Sequence, residues 1–163
     1  MKLNAKATTV PLLVAAAFVG AGGFIHMREW LDTYRNVPAS VPGADVVRVG
    51  FPVNAALSAV IAGALVVTAF AASRRSITMI AATALLVQAG SLAALILTRT
   101  GSVLGWSEHV WSPAANQTRA VEITALIALT VAVALVAVQS RRADGSAPAT
   151  TAPGPRRSLG ATS

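Results

Sequence analysis

The sequence predicts an all-α, polytopic membrane protein with four transmembrane helices in an antiparallel bundle. Three observations carry this reading. Of the 163 residues, 55% are hydrophobic and 12% charged, with a mean hydropathy of +0.65, whereas soluble domains carry about 25% charge. The apolar residues fall in four long charge-free blocks, not in the dispersed pattern of a soluble core. The charges outside those blocks segregate by side, as the topology of a membrane protein demands.

The blocks are Ala7 to Ile25 (19 residues), Val49 to Ser73 (25), Ser76 to Thr98 (23) and Ile123 to Ser140 (18). A helix needs about 20 apolar residues to cross about 30 Å of hydrocarbon. The spans are accordingly placed at about 7–25, 50–73, 76–98 and 119–140. The fourth gains its length by starting near Arg119, which puts Glu122 one turn inside its outer end. Helices are the expected form because each satisfies its own backbone in lipid. The blocks do not alternate polar and apolar, so a β-barrel is excluded. Small residues recur every four positions, at Ala16 and Gly20, at Ala55, Ala59 and Gly63, and at Ala120, Thr124, Ala128 and Ala132. Such stripes let helix backbones approach where no hydrophobic effect acts between helices.

Ahead of the first block, Lys2 and Lys6 precede an apolar stretch and a small-residue triplet, Val19-Gly20-Ala21, in the manner of a secretory signal. The apolar run continues through Phe24 and Ile25, which favours a retained first span. The turn Ser73-Arg74-Arg75-Ser76 is short and forces spans two and three into a hairpin. The first outer loop opens with His26-Met27-Arg28-Glu29-Trp30-Leu31-Asp32-Thr33-Tyr34-Arg35, read as a helix bending into the interface with Trp and Tyr at headgroup level. Pro38, Pro42, Gly43 and Pro52 are then expected to break regular structure. The second outer loop, Thr100 to Pro113, carries Trp106, Glu108, His109 and Trp111. Residues 1–142 form the four-span domain. The segment 143–163 is Ser, Thr, Ala, Gly and Pro with one Arg pair, and is expected to be a disordered cytoplasmic tail.

With both termini on one side, that side holds Lys2, Lys6, Arg74, Arg75, Arg141, Arg142, Arg156 and Arg157 against Asp144, a net +7. The other side balances Arg28, Arg35, Arg48, Arg99 and Arg119 against Glu29, Asp32, Asp45, Glu108 and Glu122. The positive-inside rule makes the first face cytoplasmic, in a multi-pass protein of the plasma membrane. The basic balance is thus a topology signal, and no basic stripe interleaved with aromatics points to nucleic acid. The partners expected are the lipid bilayer, further copies of the chain or a larger membrane complex.

The stretches Gly22-Gly23-Phe24-Ile25-His26, Trp30-Leu31-Asp32-Thr33-Tyr34 and Gly50-Phe51-Pro52-Val53-Asn54, followed by Gly105-Trp106-Ser107-Glu108 and Glu122, together resemble a group of small four-span actinobacterial membrane proteins. The pattern covers roughly residues 8 to 140. A looser likeness, through span count, is to the DoxX-like membrane proteins. The resemblance implies topology and lineage and no activity.

Candidate chemistry gathers on the outer side. With no cysteine, thiolate metal sites, disulfides and thiol nucleophiles are excluded. Phosphate-binding loops, nucleophile elbows and zinc-protease helices are absent too. His26 lies three residues before Glu29, and Glu108 adjoins His109. If the loops meet, His26 and His109 would share a metal ion with those carboxylates. Glu122, an ionisable residue at membrane depth, is a site candidate by default, with Arg119, Arg99 or water as its expected partner. Asp32, between Arg28 and Arg35, completes the ligand-binding set of His26, Glu29, Asp32, Glu108, His109 and Glu122. A mixed-charge cap of Arg28, Glu29, Asp32, Glu108 and Arg119 is expected to close the outer mouth. Gln88 and Asn54 are expected to hydrogen-bond across helices. The leading functional reading is a non-enzymatic accessory membrane subunit. Its alternative is a binder of a metal, a quinone or another small ligand under the outer loops, and a transporter or channel component is a third; no cofactor is named.

The charge division makes a topological prediction. A reporter fused after Ser163 should behave as cytoplasmic and one inserted near Gly43 as external. Protease or alkylation accessibility in intact cells checks both, and the reverse pattern would invert every statement about an outer face.

Overall fold

A computed structural model of the protein describes residues 5–71 and 73–145. Four helices follow one another: α1 Ala5–Asp32, α2 Ala44–Ala71, α3 Arg74–Thr100 and α4 Pro113–Gly145, with a short 3₁₀ turn at Tyr34–Asn36 after α1. All four are long and apolar enough to cross a membrane. The protein is therefore an all-α, multi-pass membrane bundle. Around it the helices run in chain order: α1 packs extensively on α2 and α4, α3 packs on α4, and α2 meets α3 most sparsely.

The core is built mainly of small residues. Ala15, Ala16, Ala81, Ala84, Ala125 and Ala132 are buried with Leu12, Val19, Leu65 and Leu129, while Phe24, Val60, Phe70, Leu86 and Ile127 face outward. Lipid tails solvate large apolar side chains as well as a core does, so close backbone approach decides what goes inside. The approach is tightest at Gly23, where a Cβ would stand 2.7 Å from Ser58 Cβ and 3.2 Å from the Ala55 carbonyl oxygen. The predicted stripes need correction in detail. Ala55 is buried, but Ala59 and Gly63 are exposed, and the packed face of α2 runs through Ala55, Ser58, Ile61 and Leu65. On α4, Ala128 and Ala132 pack inward, whereas Ala120 is exposed.

Every helix begins before its predicted span, and all but α2, which ends at Ala71 and not at Ser73, also run past its end. α1 continues unbroken through Asp32, supported at its exposed end by an Arg28–Asp32 ion pair one turn apart (3.5 Å). α2 begins at Ala44 with Asp45 in its first turn, where a carboxylate suits the helix dipole. Arg74 and Arg75, expected in a turn, form the first turn of α3, whose N-cap is Ser73: its hydroxyl accepts from the Ser76 N–H. α4 starts six residues before the expected Arg119, with Pro113 at the first helical position and Ser112 Oγ accepting from the Ala115 N–H. At its far end α4 extends through Gly145, so residues 143–145 belong to the helix and not to a tail. The rest of the expected tail, 146–163, lies outside the described residues.

Pro52 corrects a larger expectation: it lies inside α2 and does not break it. A proline removes the N–H that would bond the carbonyl four residues earlier, here that of Arg48. The Trp30 indole N–H supplies the missing donor, at 2.9 Å from the Arg48 carbonyl oxygen. A side chain of α1 thereby completes the backbone of α2.

Replacing Trp30 with Phe should cost about 1 kcal/mol, the net worth of one hydrogen bond. In a Pro52→Ala background the restored N–H satisfies Arg48, and the same replacement should cost clearly less. Thermal unfolding of the four proteins in detergent measures this coupling; equal costs in both backgrounds would show that the indole is not standing in for the proline.

Candidate functional site

In the half of the bundle that carries the α1–α2 and α3–α4 loops, each helix contributes at least one polar side chain to a single, largely buried network. Ser91 of α3 is its hub. Its hydroxyl donates to Glu122 Oε1 of α4 at 2.5 Å and accepts from Asn54 Nδ2 of α2 at 2.6 Å. Asn54 Oδ1 in turn accepts from Ser58 Oγ at 3.1 Å. His26 Nε2 of α1 lies 3.4 Å from both Glu122 Oε1 and Ser91 Oγ. Glu122 is 1% exposed and His26 8%. The close packing at Gly23 draws α2 against α1 and brings His26 and Asn54 to this level. His26 Nδ1, Glu122 Oε2 and, one turn below Ser91, Gln88 Oε1 are buried and have no hydrogen-bond partner among the described residues. The network is thus anchored but not saturated.

Above it the two outer loops lock together. Tyr34 donates its hydroxyl proton to Glu108 Oε2 at 2.7 Å, and Arg99 Nη1 donates to the same oxygen at 3.2 Å. The Tyr34 ring lies 4.3 Å from Phe51 and 6.0 Å from Trp106, centroid to centroid. Val103 to Trp106 form a two-residue hairpin with reciprocal backbone bonds of 2.8 and 2.9 Å. Both central residues have positive φ, Leu104 at 48° and Gly105 at 90°, as the tight turns that match strand twist require. Gly43, at φ 72°, abuts this hairpin so closely that a Cβ on it would collide with the backbone of Gly105 and Trp106. The Glu108 N–H returns to the Thr98 carbonyl at 2.8 Å. His109 Nδ1 donates to the Arg99 carbonyl at 3.1 Å, closing a free carbonyl at the end of α3. Trp111 lies under two guanidinium groups, Arg119 at 4.7 Å and Arg99 at 5.9 Å from the ring centroid.

Between network and cap lies a cavity of about 160 Å³. His26, Asn54 and Ser91 stand at its lower end, Arg99, Glu108 and Trp106 at its upper end, and Val47, Phe51 and Leu95 along its walls. Gly50 and Ala94 also line it and are exposed on the surface of the bundle. The mouth therefore opens sideways between α2 and α3, the least tightly packed of the neighbouring pairs.

The predicted site residues divide accordingly. His26 and Glu122 come together, and Glu108 joins the cap above them. Glu122 takes His26 and Ser91 as partners in place of Arg119, Arg99 or water, because α4 turns it into the bundle while Arg119 stacks on Trp111 outside. Asp32 pairs with Arg28 on the exposed surface, and Glu29 enters no ion pair among the described residues. The expected cap exists as Tyr34, Arg99 and Glu108, without Arg28, Glu29, Asp32 or Arg119. Among the described residues no three His, Asp or Glu side chains converge on a point that could hold a metal ion, and His26 and His109 have separate partners. The sequence gives no expectation for Ser91 and places Tyr34 at headgroup level, not in the site. Ser91 had a readable signal, since it lies one turn from Gln88 on the same face of an otherwise apolar span. Comparison with known protein families, with curated proteins and with solved structures gives no match.

Removing the carboxyl of Glu122 should leave Ser91 and His26 facing a dry interior. Glu122→Leu is expected to destabilise the bundle by about 1–3 kcal/mol more than Glu122→Gln, which keeps an acceptor for Ser91. Thermal unfolding in detergent measures the difference; equal losses would mean that the network contributes shape alone.

Proposed function

We propose that this protein binds a small lipid-soluble molecule in the outer leaflet of the plasma membrane, in the cavity between the buried polar network and the loop cap. The supporting observation is the cavity itself: apolar walls, polar groups at each end, and exposed lining residues, Gly50 of α2 and Ala94 of α3, at the level of the spans. Small-molecule sites have this composition, with a few placed polar groups in an apolar hollow. Entry from the bilayer suits a guest that partitions into lipid. The net +7 of one face against zero on the other supports cytoplasmic termini and hence an outward-facing cap.

This reading takes precedence over an accessory subunit because a packing subunit has no need of a hollow with unsaturated polar groups beside it. A metal ion is the weaker guest, since the histidines are occupied separately. The role is carriage or sensing of the guest, and no reaction is assigned.

The test is purification of the full chain in mild detergent, followed by native mass spectrometry and organic extraction. A small molecule should accompany the wild-type protein in near-stoichiometric amount. It should be lost from a Gly50→Leu/Ala94→Phe variant, which fills the mouth from exposed positions. An empty wild-type protein that instead carries a stoichiometric protein partner would favour the accessory reading.

A further inference from the structure

The dimensions and chemistry of the cavity, taken with the binding reading above on which this step rests, narrow the guest to one class. Arg99 and Ser91 stand eight residues apart on α3, about 12 Å along the helix axis. The polar groups therefore stand at two levels about two turns apart, with apolar wall between them. The volume of about 160 Å³ suits one six-membered ring, since a cavity of about 150 Å³ admits a single benzene ring.

The guest is uncharged. Arg99 and Glu108 already pair with one another at the upper end; at the lower end Asn54 and Ser91 are neutral, and His26 has Glu122 as its partner. An ionic guest would bring an unbalanced charge into a low-dielectric site.

Each end offers both a donor and an acceptor. Above, among the described residues, Nη1 alone of the Arg99 guanidinium is hydrogen-bonded, and both bonds to Glu108 fall on Oε2, which leaves Oε1 to accept. Below, Asn54 uses one amide hydrogen on Ser91 and keeps a second. Its Oδ1 takes a single bond from Ser58 and retains a lone pair. Carbonyl oxygens only accept, whereas hydroxyls also donate, so a site with both functions at both ends suits a molecule found in both states. Phe51 and Trp106 provide aromatic surface for the ring, and the mouth between α2 and α3 gives an apolar tail an exit into lipid.

We infer that the cavity binds the ring of a 1,4-quinone and of its quinol, with one oxygen at Arg99 and Glu108 and the other at Asn54 and Ser91. The inference concerns binding, with no electron transfer by the chain.

The experiment uses the full-length protein in lipid nanodiscs and a decyl-substituted 1,4-benzoquinone as probe. Quinones quench indole fluorescence, and Trp106 lines the cavity. Quenching should saturate, should lose its saturable part in Trp106→Phe, and should be linear in Gly50→Leu/Ala94→Phe. If that double variant fails to fold, Ala94→Phe alone, at an exposed position, serves the same comparison. The matching quinol should compete at similar concentration. Decylbenzene, which has the same ring and chain without oxygens, should compete at least about tenfold more weakly, the worth of two hydrogen bonds. Equal competition by decylbenzene overturns the quinone assignment while leaving a ring-binding cavity in place. Quenching that never saturates, or is unchanged in the filled variants, also overturns it, and the co-purification result then decides the binding reading on its own.

Discussion

Glu122 lies buried on α4, where an unpartnered carboxyl is costly, and the capped half of the bundle is organised around that cost. No helix can satisfy the group alone. α3 brings Ser91, α1 brings His26, and α2 reaches the same point through Asn54. Each contact fixes the rotation of one helix about its own axis, which apolar packing against lipid-like neighbours does weakly. The small-residue face beneath then needs only to set distance. Gly23 against Ser58 sets the shortest one, and places His26 where Glu122 requires it.

A second layer of constraint comes from the loops. The Gly43–Gly105 approach ties the start of α2 to the hairpin after α3, and Tyr34 ties the end of α1 to Glu108 of the same loop. Arg99 and His109 join that loop back to the last turn of α3. Positive φ at Leu104 is unfavourable for a residue with a Cβ, and reciprocal backbone bonds between Val103 and Trp106 hold it there. The cap is therefore a fixed roof. With a fixed floor as well, the cavity between them keeps its shape without a guest, and little ordering cost falls on binding.

The sequence made the architecture legible because membrane insertion is governed by quantities local to each segment: length of apolar run, charge, and the side on which the charge lies. Four spans, the hairpin of α2 and α3, and the concentration of chemistry on one side all follow from those. Helix ends were less legible. Pro52 looked like a terminator because its partner donor, the Trp30 indole, is remote in sequence and becomes visible only when α1 and α2 are packed. The site was half legible. His26, Glu108 and Glu122 stand out as polar or charged residues close to spans. Their pairing does not, since two histidines near two glutamates suggest a shared ion, and nothing in the spacing reveals that His109 closes the end of α3. Ser91 is one small residue among many in the sequence, although its place on the Gln88 face separates it from the rest.

The two halves of the bundle thus carry different duties. Toward the α2–α3 turn the core is alanine, leucine, isoleucine and valine, with Ala81, Ala84, Ala125 and Ala132 letting the helices close on one another. Toward the capped end the same helices leave a cavity lined by Phe51, Asn54 and Leu95. A bundle built only for packing would continue the alanine seam to the surface. This one interrupts it at the level of Gln88 and Ser91, and replaces close contact with hydrogen bonds whose polar atoms are not all paired. Such bonds stabilise less per residue than a filled core once desolvation is counted. Retaining them beside a preformed hollow is a structural cost that packing alone leaves unexplained and that occupancy by a hydrogen-bonding guest would offset.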